Sequence, residues 1–130
     1  MEIRDSVNSF FLSIHFRLLE SATSEYFGDY YDTYLFIDGN IYFRLVSDRS
    51  FLSIDVSNDN FNWYDLALVK ALLYNEKNLS HITTIEECKL FLQSELGNII
   101  ELFNNKNYLI TKKKLEELVN ERVKQMFPNL

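Results

Sequence analysis

From residue 4 to about 20 the apolar positions Val7, Phe10, Phe11, Ile14 and Leu18 recur in steps of three and four, which is the spacing of a helix that buries one stripe. Ser21-Ala22-Thr23-Ser24 interrupts this pattern, and from Tyr30 onward the period drops to two. Tyr31, Thr33, Leu35 and Ile37 share one face, with Tyr30, Asp32, Tyr34 and Phe36 on the other. Asp38-Gly39-Asn40 then offers residues that tolerate a positive φ, and Ile41, Phe43 and Leu45 alternate with Tyr42, Arg44 and Val46, so the two runs predict a hairpin. A second turn at Ser47-Asp48-Arg49-Ser50 leads to a third strand, in which Leu52, Ile54 and Val56 alternate with Phe51, Ser53 and Asp55. On this reading one sheet face carries Tyr30, Tyr34, Tyr42, Arg44 and Phe51, an aromatic and half-polar surface of the kind that interfaces favour. The alternative is that helices cover this face as well.

The polar run Ser57-Asn58-Asp59-Asn60 precedes Asn62, a candidate cap for a helix with Asp65 in its first turn and Leu66, Val69, Leu72 and Leu73 as its buried stripe. Beyond a loop containing Asn78, Ser80 and His81, Thr84 and Glu87 have the spacing of a capping box. Ile85, Cys88, Leu92, Leu96, Ile99, Ile100 and Phe103 hold one face of the helix that follows, and Gly97 within it marks a kink or a close crossing. Thr111 is the expected cap of a last helix carrying Leu115, Leu118, Val119, Val123 and Met126, closed by Pro128. The prediction is an α+β single domain over residues 1–130: an N-terminal helix, a three-stranded antiparallel meander and three C-terminal helices packed on the sheet.

Composition narrows the function classes. The chain has three Gly and one Pro, where average usage predicts about nine and six, so collagen-like, linker-rich and Gly-loop nucleotide-binding designs are excluded. A formal net charge of −6 opposes direct nucleic-acid binding, which needs clustered Lys and Arg. The single cysteine, Cys88, rules out an intrachain disulfide framework and a thiolate zinc site. No run reaches the roughly 18 apolar residues of a membrane span, and the charged N-terminus is unlike a signal peptide, so the expected location is cytoplasmic.

Candidate chemistry is sparse. His15 and His81 lack the spacing of paired metal ligands, Cys88 falls on an inner stripe where a small hydrophobe is expected, and no serine elbow or phosphate loop occurs. Neither a cofactor nor a metal is expected. Charge is more informative: residues 20–65 hold nine acids and two bases, a balance of −7, whereas residues 111–130 hold three acids and five bases, a balance of +2. Such an acidic segment suits a basic partner, which it would steer and hold in register.

Tyr34-Leu35-Phe36-Ile37-Asp38-Gly39-Asn40-Ile41-Tyr42-Phe43-Arg44-Leu45, Phe51-Leu52-Ser53-Ile54-Asp55-Val56 and Trp63-Tyr64-Asp65-Leu66, following an amphipathic N-terminal helix, resemble small bacterial immunity proteins of contact-dependent and other polymorphic toxin systems. The resemblance implies a non-enzymatic protein that binds one cognate toxin domain, often a nuclease with a basic active site. The expected partner-binding residues are Asp29, Asp32, Tyr34, Asp38, Tyr42, Arg44, Asp48 and Asp55. Length, acidity and the opening helix before three strands also look like type III secretion chaperones, which bind an effector segment but return to two further strands where residues 84–104 here read as a helix. A third reading, a small carboxylate-dependent hydrolase, requires Asp29, Asp32 and Asp55 to converge.

Overall fold

The computed structural model describes residues 3–23, 28–49 and 51–129. Ser24, Glu25, Tyr26 and Ser50, which the sequence reading assigns to breaks, turns or the acidic segment, lie outside the described residues. The chain forms two compact units, Met1–Trp63 and Tyr64–Leu130. The first contains α1 (Ile3–Ser13), β1 (Phe16–Thr23), β2 (Gly28–Phe36), β3 (Tyr42–Asp48) and β4 (Phe51–Ser57). The second opens with the two-residue strand β5 (Tyr64–Asp65) and continues through α2 (Leu66–Tyr74), α3 (Ile85–Phe103) and α4 (Tyr108–Met126).

The architecture is α+β, but the meander of the first unit has four antiparallel strands, β1 to β4 in chain order, and not the expected three. The difference lies in residues 16–23. The predicted first helix runs to residue 20, whereas α1 stops at Ser13, where the Ser13 hydroxyl donates to the Phe10 carbonyl at 2.6 Å and the Ile14 amide donates to Phe11 at 3.2 Å. His15 then takes a left-handed backbone with φ 71, a conformation that ends a helix and redirects the chain. Leu18 fits the helical stripe by spacing but serves as a strand residue of β1.

Burial of aromatic surface joins α1 to the sheet. Val7 and Phe11 are fully buried, and the Phe11 ring stacks on Tyr34 at 4.6 Å and on Phe43 at 5.6 Å while meeting Phe16 edge-on at 5.4 Å. Contacts of this kind add roughly 0.5–1.5 kcal/mol each beyond the area they bury. Leu45, Ile54 and Val56 complete this core.

Register corrects the predicted sheet face. Tyr34 pairs with Phe43 and Thr33 with Arg44, so Tyr34 faces α1 while Tyr42 and Arg44 point to the opposite side. The sequence reading joins these residues on one face because it takes Asp38-Gly39-Asn40 as the whole turn. Phe36 instead donates its amide to the Ile41 carbonyl at 3.0 Å, which makes Ile37–Asn40 a four-residue loop with Ile37 largely exposed. Lengthening a loop by one residue exchanges the faces of everything beyond it. Neither Asp38 nor Asn40 takes a positive φ; in this unit His15, Arg49 and Asn60 do.

In the second unit Asp65 itself caps α2, accepting from the Ala67 amide at 3.0 Å, and so replaces the predicted cap Asn62. The same carboxylate accepts from Arg122 of α4 at 2.8 Å. Thr84 and Glu87 form the predicted capping box at the start of α3. Thr111 is not a cap: α4 begins three residues earlier, and the buried Thr111 hydroxyl donates to the Leu102 carbonyl of α3 at 2.7 Å. Gly97 makes no close approach, since a Cβ built there meets nothing within 4 Å. Gln125 of α4 accepts from the Leu79 amide and donates to the Lys77 carbonyl, both at 2.8 Å, and so fixes the loop between α2 and α3.

Candidate protein-binding surface

The two units differ sharply in charge. Met1–Trp63 contains ten carboxylates against four arginines and no lysine, whereas Tyr64–Leu130 contains nine carboxylates, eight lysines and one arginine. The net charge of −6 therefore belongs entirely to the first unit. Three of its four arginines sit against carboxylates: Arg4 with Asp32, Arg44 with Asp55 and Arg49 with Asp48.

On the sheet face that carries α1, Asp32 is 2 % exposed and is held by a two-pronged ion pair, with Arg4 Nε at 2.8 Å and Nη2 at 2.6 Å from its two oxygens. The Ser21 hydroxyl donates to the same carboxylate at 2.5 Å, and the Arg4 guanidinium lies 4.2 Å over the Tyr30 ring. Tyr34 is fully buried and donates to Asn8 Oδ1 at 3.0 Å. Burial, reinforced by the Asp32 carboxylate, pushes its phenol above the usual range and keeps it a donor. Asp29, at the start of β2, accepts from the Ser47 hydroxyl at 2.6 Å. Asp32 and Tyr34 thus hold α1 on the sheet and are not presented to a partner.

The opposite face carries Tyr42, Arg44, Asp48 and Asp55, of which Arg44 and Asp55 meet while Tyr42 and Asp48 stand at the two ends of β3. Arg44 and Asp55 are cross-strand partners with side-chain atoms 3.3 Å apart, and the guanidinium stacks 4.2 Å over Trp63. Thr33, Val46 and Ser57 on this face are buried, so its middle is not an open aromatic surface. Asp38 lies in the β2–β3 loop with 69 % of its side chain exposed, 4.0 Å from His15 Nδ1. Asp32 and Asp55 occupy opposite faces, so the convergent carboxylates required by the hydrolase reading are not assembled.

One feature escaped the residue pattern. After β4, Ser57 accepts from the Asp59 and Asn60 amides, while Asp59 accepts from the Phe61 and Asn62 amides at 2.9 and 2.8 Å and from the Asn62 side chain at 2.8 Å. Burial is the largest single influence and raises the Asp59 pKa, but these donors and the Ser57 hydroxyl together outweigh it and hold the group at about 2. The clamp presents Phe61 at 85 % exposure. The Ser-Asn-Asp-Asn run signals such a turn; nothing in the sequence specifies which side chain it displays.

Elsewhere His81 lies 3.2 Å from Glu87, and that hydrogen bond, with those of the capping box, lowers the Glu87 pKa. Cys88 is buried. Among the described residues no three His, Cys, Asp or Glu side chains gather as metal ligands, and no helix is long and apolar enough to cross a membrane. A cleft lined by Ala67, Leu68, Ala71, Glu76, Asn78, Leu79, His81 and Thr83 has a volume of about 10 Å³, room for a single water molecule. Set against known proteins, the chain matches no family model, no curated protein and no solved structure.

Proposed function

We propose that the protein is an immunity protein whose acidic first unit binds and neutralises a basic domain of a cognate bacterial toxin. The observation that carries this reading is the confinement of the whole net charge of −6 to Met1–Trp63, beside a second unit that balances its own charges. A field of one sign over one unit raises the encounter rate with a basic partner and disfavours wrong orientations. Asp5 and Asp38 are exposed, and among the described residues neither forms an ion pair with Lys or Arg, so their field is available to a partner. Asp48 pairs with the highly exposed Arg49 of the adjacent position and adds to it, because such surface pairs are worth about 0–1 kcal/mol and separate readily.

A growth assay tests the reading. Bacteria producing a basic toxin domain that this protein captures in a pull-down, or one found encoded upstream of it, are expected to survive when the protein is co-produced, and to survive less well with the variant Asp38→Lys/Asp48→Lys. Failure of the unaltered protein to protect would overturn the immunity reading. Full protection by the doubly reversed variant would leave no role for the acidic surface.

A further inference from the structure

We infer that the protein self-associates through β1, whose outer edge pairs with the same strand of a second copy in antiparallel register. Among the described residues β1 has a strand neighbour on one side only, β2, and stands at the end of the strand order. Strands in this position expose unpaired backbone groups, and natural edges are usually blunted by charged side chains, lysine above all, by proline, by a bulge or by a covering element; β1 has a bulge and one charge of each sign, which blunt pairing with an arbitrary strand but match a second copy. β1 contains neither lysine nor proline, and Arg17 through Ser21 are all exposed, with Leu18 and Leu19 at 41 and 40 %.

The side chains of this edge complement themselves. The register of β1 on β2 shifts between Leu18 and Glu20, which leaves Leu19 as an extra residue in a bulge. Arg17 pairs with Leu35 and Glu20 with Thr33, two residues of the same face, so the bulge places Arg17 and Glu20 on one side of the sheet despite their odd separation. A twofold axis through the bond between Leu18 and Leu19 sets Arg17 of each copy opposite Glu20 of the other, Phe16 opposite Ser21, and the two leucines opposite each other at the centre. Phe16 and Ser21 pair with Phe36 and Asp32 and therefore both lie on the α1 side, so the Arg17–Glu20 and Phe16–Ser21 pairs each keep to one face. Opposite charges directly across a strand pair favour association, and like charges there oppose it. This complementarity selects a second copy as the occupant; a foreign strand would have to supply its own Glu and Arg at the matching positions.

Sedimentation equilibrium over a wide concentration range, reaching toward millimolar protein, tests the inference. The unaltered protein is expected to form a reversible dimer. Arg17→Glu alone and Glu20→Arg alone should each weaken it about tenfold or more, because both symmetry-related contacts become repulsive. Mixing the two single variants should restore association, as should combining both changes in one chain. A protein that stays monomeric throughout, single variants that dimerise as well as the original, or a mixture that fails to associate while the original dimerises, would each overturn the proposal.

Discussion

At the scale of single residues, stability in the first unit depends on groups whose polarity would suggest a surface role. Arg4 neutralises a carboxylate that is 2 % exposed and shares it with Ser21, so removing the guanidinium leaves a buried charge without its cation. Arg4→Ala is expected to lower unfolding stability by about 2–3 kcal/mol, below the value for a fully buried pair because water still reaches Arg4. Denaturant titration measures the loss, and in combination with Asp32→Asn the two changes should be far from additive. Asp59 makes a different prediction. Its pKa of about 2 lies below that of an unfolded aspartate near 3.9, so the stabilisation it provides is complete above roughly pH 4 and is lost as pH falls toward 2. Acid unfolding of Asp59→Asn should therefore converge on that of the unaltered protein only at about pH 2 and below, the separation at neutral pH being small because the site is exposed. Both roles were hidden in the sequence: a period of two places Asp32 on a face without revealing that Arg4 will meet it, and an Asn/Asp run marks a turn without its donors.

At the scale of elements, the parts that local chemistry dictates were legible. The Thr84-Glu87 capping box forms as its spacing predicts, and the alternation of β2, β3 and β4 correctly sorts each strand into two sets. Two things depended on geometry beyond the local pattern. Helical and strand spacings coincide over Phe10 to Leu18, and the left-handed His15 that separates α1 from β1 has no residue signature as strong as a glycine. The face on which Tyr42 and Arg44 lie turned on whether the preceding loop holds three residues or four. Of the eight expected binding residues, Asp32 and Tyr34 consequently lie inside, and Tyr42, Arg44, Asp48 and Asp55 share the other face. Gly97 offers a test of α3 as an element. Its Cβ position is open and the residue is exposed, so Gly97→Ala should stabilise the protein by up to about 1 kcal/mol, read as a raised unfolding midpoint. Thr84→Ala should act in the opposite sense, by roughly 1 kcal/mol, through loss of the cap.

At the scale of the whole molecule, the chain divides its charges between units and not merely between surface and core. The first unit carries the entire excess of carboxylates and commits three of its four arginines to pairs with them; the second carries all eight lysines and is neutral. The acidic balance of residues 20–65 was visible in the sequence, but its coincidence with one compact unit was not. At physiological salt, charges act over a Debye length of about 8 Å, so a partner that contacts the first unit senses that unit's charge far more than the rest. The direct measurement is the association rate with the proposed basic toxin domain as a function of ionic strength, for three proteins: the unaltered chain, Asp38→Lys/Asp48→Lys in the first unit, and Glu117→Lys/Glu121→Lys in the second. Both variants carry the same net charge. A steep fall in rate with salt is expected for the unaltered chain, a slower and flatter profile for the first-unit variant, and a profile close to the original for the second-unit variant; equal effects of the two variants, or none from either, would contradict a binding role for the acidic unit.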